Sequence, residues 1–169
     1  FFITSSSSSE FDNSSTQLYT RSGSFQVDSS NTYLVDNFGR KIFGYPVDSN
    51  GNITSTTIEP IQTKNHTNVG FQDGGTLMGD PSSDSPTPLY KLALTSFQNK
   101  EGLIPTTGGA YKKSIASGEQ FAEGTAGDPL SATSQTVYGD ILSKSLESSN
   151  VDIAKVALDM NLLNRGFAA

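Results

Sequence analysis

The chain reads as a mainly β protein whose short antiparallel strands are followed by one C-terminal α-helix. Three observations predict this. Apolar residues recur two apart in short runs over much of residues 1–145, the period of a half-buried strand. Clusters of Gly, Asp, Asn and Ser separate those runs, and Asn50-Gly51 is the strongest of these turn signals. After Asn150 the spacing changes: Ile153, Val156, Met160, Leu163 and Phe167 stand 3, 4, 3 and 4 apart, which lines one apolar seam along a helix.

Taken in order, residues 5–9 and 13–16 form a polar tract that reads as a loop within a hairpin. Leu18, Tyr19 and Thr20 lead through Arg21-Ser22-Gly23 to Phe25 and Val27, and residues 33–35 and 41–45 repeat the strand pattern after turns at 28–31 and 36–39. A type I′ turn is expected at Asn50-Gly51, with both residues at positive φ. Ile53, Ile58 and Ile61 follow on the return strand. Residues 70–79 read as strand and turn, and residues 80–88, with three prolines and three serines, as a surface loop suited to an insertion. Residues 89–97 read as a buried strand that residues 101–109 break. Residues 108–145 are rich in Gly and Ser. The part from 108 to 138 reads as an extended path over a surface, anchored by Tyr111, Ile115, Phe121, Leu130 and Val137. The chain thus divides into a β-rich domain, 1–145, and the start of a C-terminal helix, 146–169. Ser149 or Asn150 would cap that helix, with Asp152 completing an approximate capping box. Asp152, Lys155 and Asp159 occupy its opposite face.

Composition narrows the function. A length of 169 residues suits one domain with an appendage. Hydrophobic residues make up 34%, so the core is thin for the length. Lys and Arg number 11 against 17 Asp and Glu, a net charge of -6, and the basic residues are scattered, which disfavours a nucleic-acid partner. Cysteine is absent, leaving no disulfide framework or thiolate metal site. No apolar run reaches the length of a membrane span, and Phe1-Phe2-Ile3 lacks the basic start of a signal peptide. The expectation is a cytosolic chain, or one exported by a signal outside these residues.

No catalytic constellation emerges. Asp48, Asn50, Asn52 and Glu59 occupy positions 1, 3, 5 and 12 of a calcium-loop template, but Ile53 stands where the template requires glycine. The single His66, in Asn65-His66-Thr67, has no partner at a recognisable spacing and reads as a surface-loop residue. Nucleophile elbow, phosphate loop and dinucleotide fingerprint are all missing from the sequence. Neither catalysis nor a cofactor is expected. The seam of the final helix has two readings from pattern alone. It covers its own β domain, the default for one amphipathic helix, or it packs against other chains. Ala154, Ala157, Leu158 and Leu162 widen its apolar surface beyond one seam.

Leu146-Glu147-Ser148-Ser149-Asn150-Val151-Asp152, with Arg165-Gly166-Phe167 after it, resembles the carboxy-terminal signature of the bacterial flagellar axial proteins, the family of rod and hook subunits. Phe1-Phe2 with Tyr19-Thr20-Arg21-Ser22-Gly23-Ser24-Phe25, Asp28, Leu34-Val35, Gly39 and Gly44-Tyr45 is similar to the family's β motif. Leu92-Ala93-Leu94, Phe97, Asn99, Gly102-Leu103 and Ala116-Ser117-Gly118 are similar to its return segment. The resemblance implies a non-enzymatic subunit, exported by the flagellar type III apparatus without a cleavable signal, that polymerises into a helical tube and transmits torque in motility. Its implied partners are itself, neighbouring axial proteins and basal-body ring proteins, without nucleic acid or membrane insertion. Its implied place is the periplasmic rod or the extracellular hook. The family's N-terminal helix is missing and the C-terminal signature stops short of the usual end, so a core fragment is expected. Only 46 residues separate Gly44-Tyr45 from Leu92, which favours a rod-type subunit over a hook subunit with its inserted outer domain intact. The alternative is a β-rich surface or adhesin-type interaction module, in which the helix docks on its own domain.

Overall fold

Period-two burial is clearest in the strand at the centre of the sheet. Within Lys41–Pro46, Ile42 joins one apolar cluster while Phe43 and Tyr45 join another, because successive side chains of a strand point to opposite faces. The structure, a computed structural model, describes residues 1–5, 17–63, 66, 68–81, 84–126 and 138–145, together with Met160, Leu163, Arg165 and Gly166. Eleven strands occur among these: β1 (Phe2–Ser5), β2 (Gln17–Thr20), β3 (Phe25–Val27), β4 (Leu34–Asp36), β5 (Lys41–Pro46), β6 (Glu59–Pro60), β7 (Val69–Gln72), β8 (Thr76–Gly79), β9 (Thr87–Leu92), β10 (Ile104–Thr106) and β11 (Ala110–Lys112). They pair antiparallel in the order β10-β11-β2-β1-β5-β9-β8-β7, with β4 joining β3 to β5 and β6 added to β5. The main-β expectation therefore holds.

One cluster contains Ile3, Tyr19, Phe43, Tyr45, Ile58, Ala93, Phe97 and Leu103. The other contains Leu34, Ile42, Ile61, Leu77, Leu89, Tyr90 and Leu92. A 34% hydrophobic chain covers both faces of its sheet by drawing each cluster from strands far apart in sequence. The β1–β2 hairpin forms as expected, with Ser5 opposite Gln17, while the polar tract at 6–16 lies outside the described residues. Residues 70–79 form the β7–β8 hairpin.

The structure corrects several expectations. Asn50-Gly51 is not a type I′ turn, because Gly51 alone takes positive φ, +82°. Gly51 N donates to Asp48 O at 3.0 Å, and Asp48 N donates to Asn52 O at 2.9 Å. The result is a three-residue loop in which glycine supplies the left-handed position. The Asp48 carboxylate favours it by accepting from Asn50 N at 2.8 Å and Asn52 N at 2.9 Å. Of the return-strand isoleucines, Ile58 and Ile61 are buried and Ile53 is partly exposed. The 80–88 loop is shorter than expected, since Thr87 and Pro88 belong to β9 and pair with Gly79 and Met78. The strand expected over 89–97 ends at Leu92; beyond it Leu94 makes isolated bridges to Phe2 and Gly124, and Phe97 makes one to Gln120. Nor is the segment from 108 merely a surface path. Ala110 is fully buried, and β11 enters the sheet beside β2, with Tyr111 opposite Tyr19. Ile115 is fully exposed and anchors nothing, whereas Leu130 and Val137 lie outside the described residues.

Candidate assembly surface

The first motif sets out from β2. Tyr19 is buried edge-on against Phe97, with ring centroids 4.8 Å apart, and its hydroxyl lies 3.0 Å from Gln17 Oε1 and 2.9 Å from Gln120 Oε1. Gln120 Nε2 donates to Glu123 Oε1 at 3.3 Å, so one polar knot ties β2 to the stretch after β11. Burial, then the nearby Glu123 charge, pushes the Tyr19 phenol up to about 12. Burial also raises the Glu123 carboxyl, against the opposing hydrogen bonds from Gln17 and Gln120. Thr20 is buried, and its Oγ1 accepts from Ser22 N at 3.1 Å, turning the chain after β2.

That turn opens onto a groove. Arg21 lies over the Phe1 ring at 4.9 Å, Gly23 faces Phe2, and Phe25 stands edge-on between Phe2 and Phe71 at 5.2 and 6.0 Å. The groove, of about 740 Å³, is completed by Leu92 and by residues 140–145. This last segment is a strap along the β7–β8 turn. Gly74 N donates to Ile141 O at 2.8 Å, Ser143 N donates to Asp73 Oδ1 at 2.9 Å, and the Tyr138 hydroxyl donates to Ala122 O. Ile141 joins the second apolar cluster. The strap has no side-chain motif in the sequence, because much of its attachment runs through backbone groups.

The remaining motif residues act as joints. Gly44 lets β5 close on β9: a Cβ there would lie 2.6 Å from Lys91 O. Gly102, which ends the 3-10 turn Lys100–Gly102 ahead of Leu103, passes against Ala116 and Ser117 of the 3-10 turn Ile115–Ser117, which Gly118 follows. Ser114 Oγ donates to Gly102 O, Asn99 Nδ2 donates to Ala116 O at 2.9 Å, and Ser114 and Ser117 form a capping box. Leu103 and Ser117 are buried.

The seam residues are described only in part. Met160, Leu163, Arg165 and Gly166 have helical backbone and are exposed, Met160 and Leu163 by 61% each. Ile153, Val156 and Phe167 lie outside the described residues, as do Leu146, Glu147, Ser149, Asn150, Val151 and Asp152.

The calcium-template oxygens do not converge. The Asp48 carboxylate is committed to its own turn, where hydrogen bonds, that from Asn52 N foremost, hold it below the usual carboxylate range, and Glu59 accepts from the Tyr90 hydroxyl at 2.8 Å. Among the described residues no three metal-ligating side chains come together, and no helix is long and apolar enough to cross a membrane. Two features escaped the sequence reading. His66 Nδ1 lies 2.6 Å from Asp80 Oδ2; although part-buried and packed over Gly79, it had read as a plain loop residue. Arg40 is buried with Asp36, at 2.6 Å.

No family model matches the chain. Curated relatives do. The chain is 28% identical to the flagellar hook protein FlgE of Escherichia coli over 116 residues, 69% of this chain and 27% of that protein. It is 30% identical to that of Helicobacter pylori over 101 residues, 60% of this chain and 13% of that protein. Against that of Rhizobium meliloti it is 37% identical over 82 residues, 48% of this chain and 18% of that protein. The matches thus span only 13% to 27% of the length of these relatives. The kinship agrees with the resemblance to the flagellar axial family, and it is with structural proteins and not with enzymes.

Proposed function

We propose that this chain, a relative of the flagellar hook proteins, is the β domain of a flagellar axial subunit that polymerises through its C-terminal helix. The observation that carries the reading is sequence kinship with hook proteins of widely separated bacteria. It moves the preference from rod to hook. The short spacing between Gly44-Tyr45 and Leu92, which had favoured rod, also fits a hook subunit whose outer insertion is lacking.

The geometry supports a domain built to be held at one groove. The turn 21–25, Phe2 and the strap 140–145 all line it, so the motif after β2 and the approach to the C-terminal signature meet on one side of the sheet. The exposure of Met160 and Leu163 supports a seam that faces other chains. Such contacts are heterologous, head to tail, and propagate as an open helix. Export through the flagellar type III apparatus, torque transmission and packing beside other axial or ring proteins belong to the same reading.

In-frame deletion of the parent gene, with electron microscopy of isolated flagellar structures, tests it. A complete rod without a hook is the expected result. Structures ending within the rod would instead mark a rod subunit, and normal flagella would overturn the axial reading.

A further inference from the structure

Two turns of the domain place an asparagine or aspartate side-chain carbonyl one residue ahead of a glycine amide, Asn50-Gly51 and Asp73-Gly74, and the structure holds them differently. With no Cβ beside it, a glycine nitrogen can reach the preceding side-chain carbonyl carbon and close a five-membered ring. At Asp73 both reacting groups are engaged by the strap: Oδ1 accepts from Ser143 N at 2.9 Å, and Gly74 N donates to Ile141 O at 2.8 Å. The side chain of Ile141 also fills the space beside Gly75.

At Asn50 the side chain is exposed, and among the described residues no hydrogen bond holds its amide; only its backbone N–H is engaged, by Asp48. Gly51 N donates to Asp48 O at 3.0 Å, within an exposed tip, and nothing lies within 4 Å of where a Gly51 Cβ would stand.

We propose that Asn50-Gly51 is a self-modification site of the folded protein, converting through a succinimide to aspartyl and isoaspartyl links, and that the 140–145 strap shields Asp73-Gly74 from the corresponding ring closure, in which Gly74 N attacks the protonated Asp73 carboxyl and water leaves in place of ammonia. Gly51 N attacks Asn50 Cγ. The new C–N bond replaces the Cγ–Nδ2 bond, and ammonia leaves, carrying the amide proton by way of solvent base. Water then opens the ring. Addition at Cγ yields aspartate, and addition at the Asn50 main-chain carbonyl yields isoaspartate, which adds a methylene to the backbone. Either product sets a second carboxylate beside Asp48. The isoaspartyl form also lengthens the loop between the bridged residues Val47 and Ile53 and so slackens that register.

The test incubates the folded protein and the same protein in urea, both in heavy-oxygen water, at mildly alkaline pH to follow Asn50 and at mildly acidic pH, where the carboxyl is protonated, to follow Asp73, and maps the peptides with isoaspartyl detection. Label and loss of ammonia are expected at Asn50 in both samples, more slowly in the folded one because the turn restrains Gly51 N. Label at Asp73 is expected only in urea. Asn50→Ser should abolish labelling at position 50 with an unchanged melting curve. Ser143→Pro, which removes the donor to Asp73, should bring label to Asp73 in the folded protein. An unlabelled Asn50 in folded protein whose urea counterpart has fully converted would overturn the site. Equal Asp73 labelling in both samples, or none in Ser143→Pro, would overturn the shielding.

Discussion

A Cβ placed on Gly102 would lie 2.3 Å from both the carbonyl carbon and the carbonyl oxygen of Ala116. Two backbone segments therefore pass at a separation that no other residue permits, and this contact joins the two halves of the return motif. Backbone atoms cannot rotate away as a side chain can. Gly102→Ala should destabilise the domain by about 2–3 kcal/mol, the upper part of the range for overpacking. Urea unfolding should show a lower midpoint at an unchanged slope.

Arg40 spans two turns. Its Nε donates to Asp36 Oδ2 at 2.7 Å and its Nη2 forms an ion pair with the same oxygen at 2.6 Å, while Nη1 and Nη2 donate to Thr107 O and Gly108 O at 3.1 and 2.9 Å. Arg40→Met would leave a buried carboxylate without its counter-charge and two carbonyls without donors, at a cost of about 3–5 kcal/mol. Arg40→Lys should recover little, because one ammonium cannot reproduce the planar fork. Thermal unfolding would measure the loss, and amide exchange should rise first in the β10–β11 hairpin.

Glu123 makes stability depend on pH in a direction opposite to an ordinary salt-bridged carboxylate. Burial raises its folded value above 4.5, so as pH climbs from 4.5 the unfolded chain loses this proton before the native one does. The native state then binds more protons, and stability falls with rising pH until the folded carboxyl also ionises. Glu123→Gln should remove that decline in a urea-unfolding series from mildly acidic to neutral pH. It should also bring the Tyr19 phenol down from about 12, visible in a spectrophotometric titration, because the carboxylate charge contributes to that shift.

The parts legible in the sequence were those whose cause is local. Leu18 to Val27, Tyr33 to Tyr45 and the 70–79 hairpin show their period and their turn residues within a few positions of one another. β11 did not, because Ala110 and Tyr111 follow two glycines and take their place in the sheet by pairing with β2, some 90 residues earlier. The strap was invisible for a related reason: its attachment to Gly74 and Asp73 uses the backbone of Ile141 and Ser143, which leaves no signature in side-chain type. At Asn50-Gly51 the residue pair correctly marked a turn, but its class depends on the Asp48 carboxylate two positions before. Gly44 and Gly102 stood out by resemblance alone, and the close backbone approaches supply their physical reason.

The seam gives the most direct test of assembly. Met160 and Leu163 have helical backbone and are each 61% exposed, so a carboxylate at either position stays hydrated in the monomer. In a polymer that buries the seam, the same carboxylate must be desolvated without a partner, at several kcal/mol per subunit. Met160→Asp or Leu163→Asp in the full-length parent should therefore abolish polymerisation, followed by sedimentation and electron microscopy, while the melting curve of the β domain stays in place. Truncation after Ser145 should likewise leave melting almost unchanged. A lowered melting temperature in the truncated chain would show the helix docked on its own domain, and normal polymerisation by either aspartate variant would remove the seam from the assembly mechanism.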